Sequence, residues 1–201
     1  MEANNNTKGI FFIMTGMAFF SIQDSLIKFI FEDIALFELY LGRTLIQATI
    51  LLAFVIITKK HITLKTHYPF LTLLRVICFF FGFSFFYISL TFMTLAMTSA
   101  LFFSCPFFMS MFAKFFLKEQ IGIRRWSAIV VGFIGVIIVL DPNWEDFDYF
   151  KLAPVACAIC YSCSMTITKY TSDKDSIYTQ MTWLYIFATF AGLMIFLITG
   201  D

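Results

Sequence analysis

The sequence predicts an all-α protein, a polytopic bundle of transmembrane helices. Three observations carry that prediction. The first is composition: 60% of the 201 residues are apolar, 13% are charged, and phenylalanine alone fills 29 positions. Soluble domains carry about 25% charge, so a chain of this size in water could not hide so much apolar surface. The second is the length of the apolar runs. A hydrocarbon layer of roughly 30 Å needs about 20 helical residues to cross it. Seven runs approach or exceed that length: 10–31, 37–57, 69–92, 96–117, 126–140, 151–170 and 177–199. They are continuous rather than alternating, which favours helices over a β-barrel, and a helix satisfies its own backbone in lipid. The third is charge between the runs. Alternate connections carry Lys8; then Lys59, Lys60 and Lys65; then Lys118, Arg124 and Arg125; then Lys169 and Lys174. The other set carries Glu32 and Asp33, then Asp141, Glu145, Asp146 and Asp148. Basic connections stay cytoplasmic, which places the N-terminus inside and Asp201 outside. A net charge of +1 gives no reason to expect a nucleic-acid partner.

The first run, 10–31, is too long for a signal-peptide core. It contains Asp24 and, one turn on, Lys28. The second, 37–57, contains Arg43, with Glu38 near its edge. Charges at mid-membrane are costly, about 2.5–3.5 kcal/mol on insertion scales, and usually face a bundle interior or a wet cavity. Asp24 and Arg43 lie at matching depth, each roughly 10 Å below the outer surface at about 1.5 Å rise per residue. The connection between their runs is short. An Asp24–Arg43 contact is therefore expected, lining a polar pocket, with a purely structural ion pair as the alternative. Lys28 lies near a helix end and reads equally as a snorkelling anchor.

The third run, 69–92, holds Arg75 about two turns from its inner end. Glu119 is the nearest carboxylate by depth, so a structural Arg75–Glu119 pair or a snorkelling Arg75 is expected. An anionic ligand group is the alternative. The fourth, 96–117, is interrupted by Pro106, which removes a backbone donor and should kink the helix; Lys114 near its end can snorkel. The fifth, 126–140, carries Gly132 and Gly135, expected at a close helix contact. The sixth, 151–170, carries Cys157, Cys160 and Cys163. On one helix these thiols spread over about a third of the circumference and cannot wrap one ion. With their Ala and Ser neighbours they read as a small-residue packing face, so no metal is expected. The seventh, 177–199, has no lysine to hold a retinal, and an inside N-terminus is wrong for a seven-helix receptor. No nucleotide-binding, zinc-protease or nucleophile-elbow motif occurs, so neither an enzyme nor a cofactor is expected. His61 and His67 fall in a basic loop and are expected to face solvent.

The stretch "LAMTSALFFSCPFFMSMFAKFFLKEQIGIRRWSAIVVGFIGVIIVLDP", 95–142, resembles the EamA domain of the drug/metabolite transporter superfamily. The matching features are the small and hydroxyl residues before Pro106, Lys118-Glu119, Arg124-Arg125-Trp126, Gly132 to Val136, and Asp141-Pro142. Gly16 to Phe20 with Asp24 and Lys28, Arg43, Arg75 and Tyr87 fit too. The resemblance implies an inverted five-helix repeat: 1–142 as the first repeat and 143–201 as two helices of an incomplete second. It implies a secondary active permease of small organic metabolites, working by alternating access in a bacterial inner membrane. Asp24, Lys28, Arg43, Arg75 and Tyr87 would touch substrate, and Pro106, Glu119, Gly132 and Gly135 would shape the fold. Expected partners are a small-molecule substrate and the lipid bilayer, with a homodimer left open. By this plan the 201 residues alone should transport poorly, and a truncated or non-transporting membrane scaffold is the alternative reading.

Overall fold

A computed structural model of the chain describes residues 2–30, 36–58, 65–140 and 149–199. The described residues form helices: α1 (Glu2–Ile30), α2 (Leu36–Thr58), α3 (Pro69–Phe92), α4 (Leu95–Phe102), α5 (Cys105–Phe116), α6 (Ile123–Leu140), α7 (Ala153–Thr171) and α8 (Ile177–Thr199), with a 3-10 turn Tyr149–Leu152 before α7. Each predicted run is a helix, and the fourth is two. The connections that carry Glu32, Asp33, Lys59, Lys60, Asp141, Pro142 and Asp146 lie outside the described residues. Among the described residues four helical stretches, Gly9–Ile27, Pro69–Phe92, Leu95–Phe116 and Phe150–Thr171, are long and apolar enough to cross a membrane, and Leu41–Ile57 and Trp126–Ile138 are shorter apolar helices. The chain is an integral membrane protein. Its surface agrees: Phe12, Phe29, Phe70, Phe115 and Ile123 are all exposed, a cover that suits hydrocarbon and would aggregate in water.

Several hydroxyl groups inside the helices bond to their own helix. Thr15 donates to the Phe11 carbonyl at 2.9 Å, Thr49 to Leu45 at 2.8 Å, Ser84 to Phe80 at 2.9 Å and Thr166 to Ser162 at 2.8 Å. This bonding to the preceding turn lets a hydroxyl sit where no water reaches it.

α3 and α7 form the central pair. α2 packs on α8, α4 and α5 pack on α7, and α6 packs on α4 and α5. The buried core gathers Phe83, Phe86, Tyr87 and Leu90 of α3, Cys157 of α7, Ala188 of α8 and Ile27 of α1. α1 lies at the margin, with Ile27 its one buried side chain among those described.

α3 and α7 come close together at Gly82. A Cβ there would stand 3.5 Å from both the Cys160 Cβ and the Tyr161 backbone nitrogen. Cys157 is buried and Cys160 and Cys163 are half-buried, so α7 presents small side chains to α3. Alanine fits at Gly82 at ordinary contact distance and gains helix propensity, whereas leucine must push α3 off α7. Gly82→Leu is expected to cost about 1–3 kcal/mol, and Gly82→Ala to be neutral or stabilising by up to about 1 kcal/mol. Thermal unfolding of both variants in detergent checks this. Gly132 and Gly135 correct the sequence reading: both are exposed, with nothing within 4 Å of an added Cβ. The second tight glycine is instead Gly192 of α8, where a Cβ would meet Leu41 Cδ2 at 2.5 Å.

Pro106 breaks its run at Phe103 and Ser104, as its missing N–H requires. Beside the break α7 makes a polar contact: Ser162 Oγ donates to the Cys105 oxygen at 3.0 Å and lies 3.2 Å from Cys105 Sγ. α5 closes through Lys118 at φ 55, a left-handed cap, with Leu117 and Glu119 N–H both reaching the Ala113 carbonyl.

Candidate functional site

Two clusters built around arginines stand out among the described residues. The first centres on Arg43 of α2. Its guanidinium carbon sits 4.1 Å from the Phe83 ring centre, 5.9 Å from Phe20 and 6.0 Å from Tyr87. Its Nη1 donates to the Tyr87 hydroxyl. Cation–π contacts of this kind stabilise a charge that water no longer covers. The charge also acts on Asp24 of α1 and on Tyr185 of α8. Four helices therefore meet at one cation. The ring stripe Phe79, Phe83 and Tyr87 sits on one face of α3 at four-residue spacing, with neighbouring centroids 4.7 and 6.0 Å apart.

The expected Asp24–Arg43 ion pair is not made. Arg43 gives its hydrogen bond to Tyr87, and Asp24 has no ion pair within 4 Å among the described residues, though the two charges interact. Asp24 is half-buried, and beside it Gln23 keeps a buried amide nitrogen without a partner. The Lys28 side chain lies outside the described residues. Arg43, Thr44, Gln47, Phe79, Phe83, Leu184, Tyr185 and Ala188 line a pocket of about 20 Å³, room for roughly one water. A larger cleft of about 490 Å³ runs between α2 and α8 past Leu52, Ile186 and Phe190. It contains no charged side chain and its walls face outward, so it suits lipid rather than a polar ligand.

The second group caps one end of the bundle. Arg75, 2% exposed, donates from Nη1 to the Gln180 carbonyl at 3.0 Å, and its Nε has no partner. It does not pair with Glu119, which binds Lys169 instead. The partner expected from depth is therefore wrong, because Glu119 meets Lys169 of α7 rather than Arg75 of α3. The Gln180 side chain donates to the Asp175 carbonyl at 3.2 Å. Asp175 accepts from Thr66 Oγ1, and from the His67 backbone N–H at 2.9 Å, while its Oδ1 lies 2.9 Å from His67 Nδ1. His67 keeps an exposed ring yet holds this carboxylate, which corrects the solvent-only reading. Burial opposes the charge on Asp175, but the Thr66 and His67 hydrogen bonds outweigh it and hold the carboxyl below the usual carboxylate range. Together these bonds tie the segment before α3 to the turn between α7 and α8.

Sequence reasoning found Asp24, Arg43 and Tyr87, and the structure brings these three together. It missed Phe20, Phe83, Gln47 and Tyr185. The four-residue stripe on α3 was the available signal, hidden by the abundance of phenylalanine.

The model of the EamA-like transporter family matches residues 7–141. An S-adenosylmethionine uptake transporter of Rickettsia bellii is 32% identical over 173 residues, covering 86% of this chain and 59% of that protein. One from Rickettsia felis is 35% identical over 155 residues, 75% of this chain and 52% of that protein. A riboflavin transporter of Rhizobium johnstonii is 32% identical over 126 residues, 63% of this chain and 42% of that protein. The chain thus spans about half to three fifths of the length of the S-adenosylmethionine transporters it matches. No solved structure matches it.

Proposed function

This chain belongs to the EamA-like transporter family, and from that premise we propose that it is a secondary active permease for a small nucleoside-like metabolite. S-adenosylmethionine is the first candidate substrate and riboflavin the second, by the names of its relatives. The observation that carries the reading is Arg43, held with Asp24 and Tyr87 inside an aromatic pocket where α1, α2, α3 and α8 meet. Asp24, Arg43, Tyr87 and Lys28 contact substrate, while Arg75 anchors the end of the route. The N-terminus faces the cytoplasm and the membrane is a bacterial inner membrane.

The helix pairing supports an inverted repeat, with 1–142 as one half and 143–201 as the start of the other. An in-plane twofold that exchanges the halves carries the second span onto the seventh, and α2 does pack on α8. It also pairs the third span with the sixth, α3 on α7, and so places an equivalent of α3 against α1, the helix left exposed here. The Arg43 pocket then sits between the halves, where repeat transporters bind substrate. At about 20 Å³ the pocket is closed to any metabolite, so binding requires the helices to part, as alternating access demands.

The test is binding, which does not depend on a complete transport cycle. The purified chain in lipid nanodiscs is expected to bind labelled S-adenosylmethionine saturably, displaced by an excess of the unlabelled compound. Riboflavin is run in parallel. Saturable binding of neither overturns the reading.

A further inference from the structure

We propose that Phe20, Phe83 and Tyr87 form a cation-binding cage for the positively charged group of the substrate, and that the Arg43 guanidinium occupies this cage as an internal stand-in when substrate is absent. This rests on the transporter reading and names the chemical class the site selects: an organic cation such as a sulfonium or a quaternary ammonium.

The geometry is that of a cage with its occupant in place. Three ring centres from two helices lie within 4.1–6.0 Å of one guanidinium carbon. Aromatic faces at this range attract soft, weakly hydrated cations, and desolvated cages of this kind bind methylated onium groups. Arg43 is not locked there by a carboxylate. Its hydrogen bond goes to Tyr87, a neutral hydroxyl, and Asp24 stands near without an ion pair to Arg43. Asp24 is thus a counter-charge able to serve either occupant. A ligand cation entering the cage releases Arg43, whose fork then becomes free for an anionic group on the same ligand. Burial favours this exchange. Tyr87 is fully buried and Phe83 nearly so, while Phe20 is exposed on the outer side, so the two α3 rings form a dry wall that loses contacts if the cage stays empty.

The probe is labelled trimethylsulfonium, a bare cation with no carboxylate and no base, bound to the purified chain in nanodiscs. Weak saturable binding is expected for the unaltered chain. Arg43→Met, which removes the stand-in, is expected to tighten it at least fivefold. Phe83→Leu is expected to abolish it, while Phe81→Leu, an exposed ring one helical step from the cage, retains it and controls for folding. No saturable binding to Arg43→Met, or equal binding to Phe83→Leu and Phe81→Leu, overturns the cage. Metabolite binding is scored separately on the same samples. Its loss with trimethylsulfonium binding intact sinks the transporter reading, and the reverse sinks only the cage.

Discussion

Asp24→Asn should lower the affinity for the bound metabolite by about tenfold to a hundredfold, or 1.4–2.7 kcal/mol, without lowering the thermal stability of the bundle. Asn keeps the shape and removes only the charge. A structural ion pair would give the opposite pattern, because stripping one partner leaves a buried charge uncompensated and costs stability. Asp24 is half-buried on a marginal helix and makes no ion pair with Arg43, so no α1–α2 ion pair depends on its charge. A carboxylate kept in hydrocarbon is costly, and the positive charge of a ligand is expected to offset part of that cost. Binding isotherms and melting curves on the same preparation check both halves of the expectation. Unchanged affinity with a lowered melting temperature would assign Asp24 to the fold.

Asp175→Ala should cost about 3 kcal/mol of stability. Its side chain is 1% exposed and accepts bonds from Thr66 and from the backbone and ring of His67. Hydrogen bonds to a charged group contribute about 1.5–3 kcal/mol each, and donors left unpaired add a desolvation penalty. The same carboxylate makes stability depend on pH. Its proton is held less tightly in the folded chain than in the unfolded one. The stabilisation is therefore complete above the ordinary aspartate range and is lost as pH falls through the depressed folded value. Melting temperature measured from neutral pH downward should fall more steeply for the unaltered chain than for Asp175→Asn, and parallel curves would show that Asp175 carries no charge-dependent stability. The Glu119–Lys169 pair makes a contrast. Its side chains are 33% and 62% exposed, and exposed pairs contribute only about 0–1 kcal/mol, so Glu119→Gln should leave the bundle almost unchanged.

The helices were legible because a membrane span is a local property. Length, apolarity and the absence of charge are read within one run, and so is the missing N–H of Pro106. Partners were not legible, because they depend on which helices are neighbours and which way each face turns. Depth alone placed Arg43 beside Asp24, which is close, but it could not show that Tyr87, 44 residues on, receives the hydrogen bond. Depth also offered Glu119 to Arg75, although Lys169 takes it. Gly132 and Gly135 looked like a contact face because small residues often pack closely, yet nothing approaches them. Gly82 was overlooked inside a run of phenylalanines, and it marks the crossing of α3 and α7. Asp175 reads as an ordinary loop acid until the turn folds it over Thr66 and His67.

A photoreactive azido analogue of S-adenosylmethionine, crosslinked to the chain in nanodiscs and mapped by peptide mass spectrometry, probes the polar pocket itself. Label removed by excess unlabelled ligand should fall on α1 near Asp24, on α2 between Arg43 and Gln47, on α3 between Phe79 and Tyr87, and on α8 near Tyr185. Competable label confined to the apolar cleft at Leu52 and Phe190, or to the cap around Arg75, would mean that the Arg43 pocket is not the substrate route.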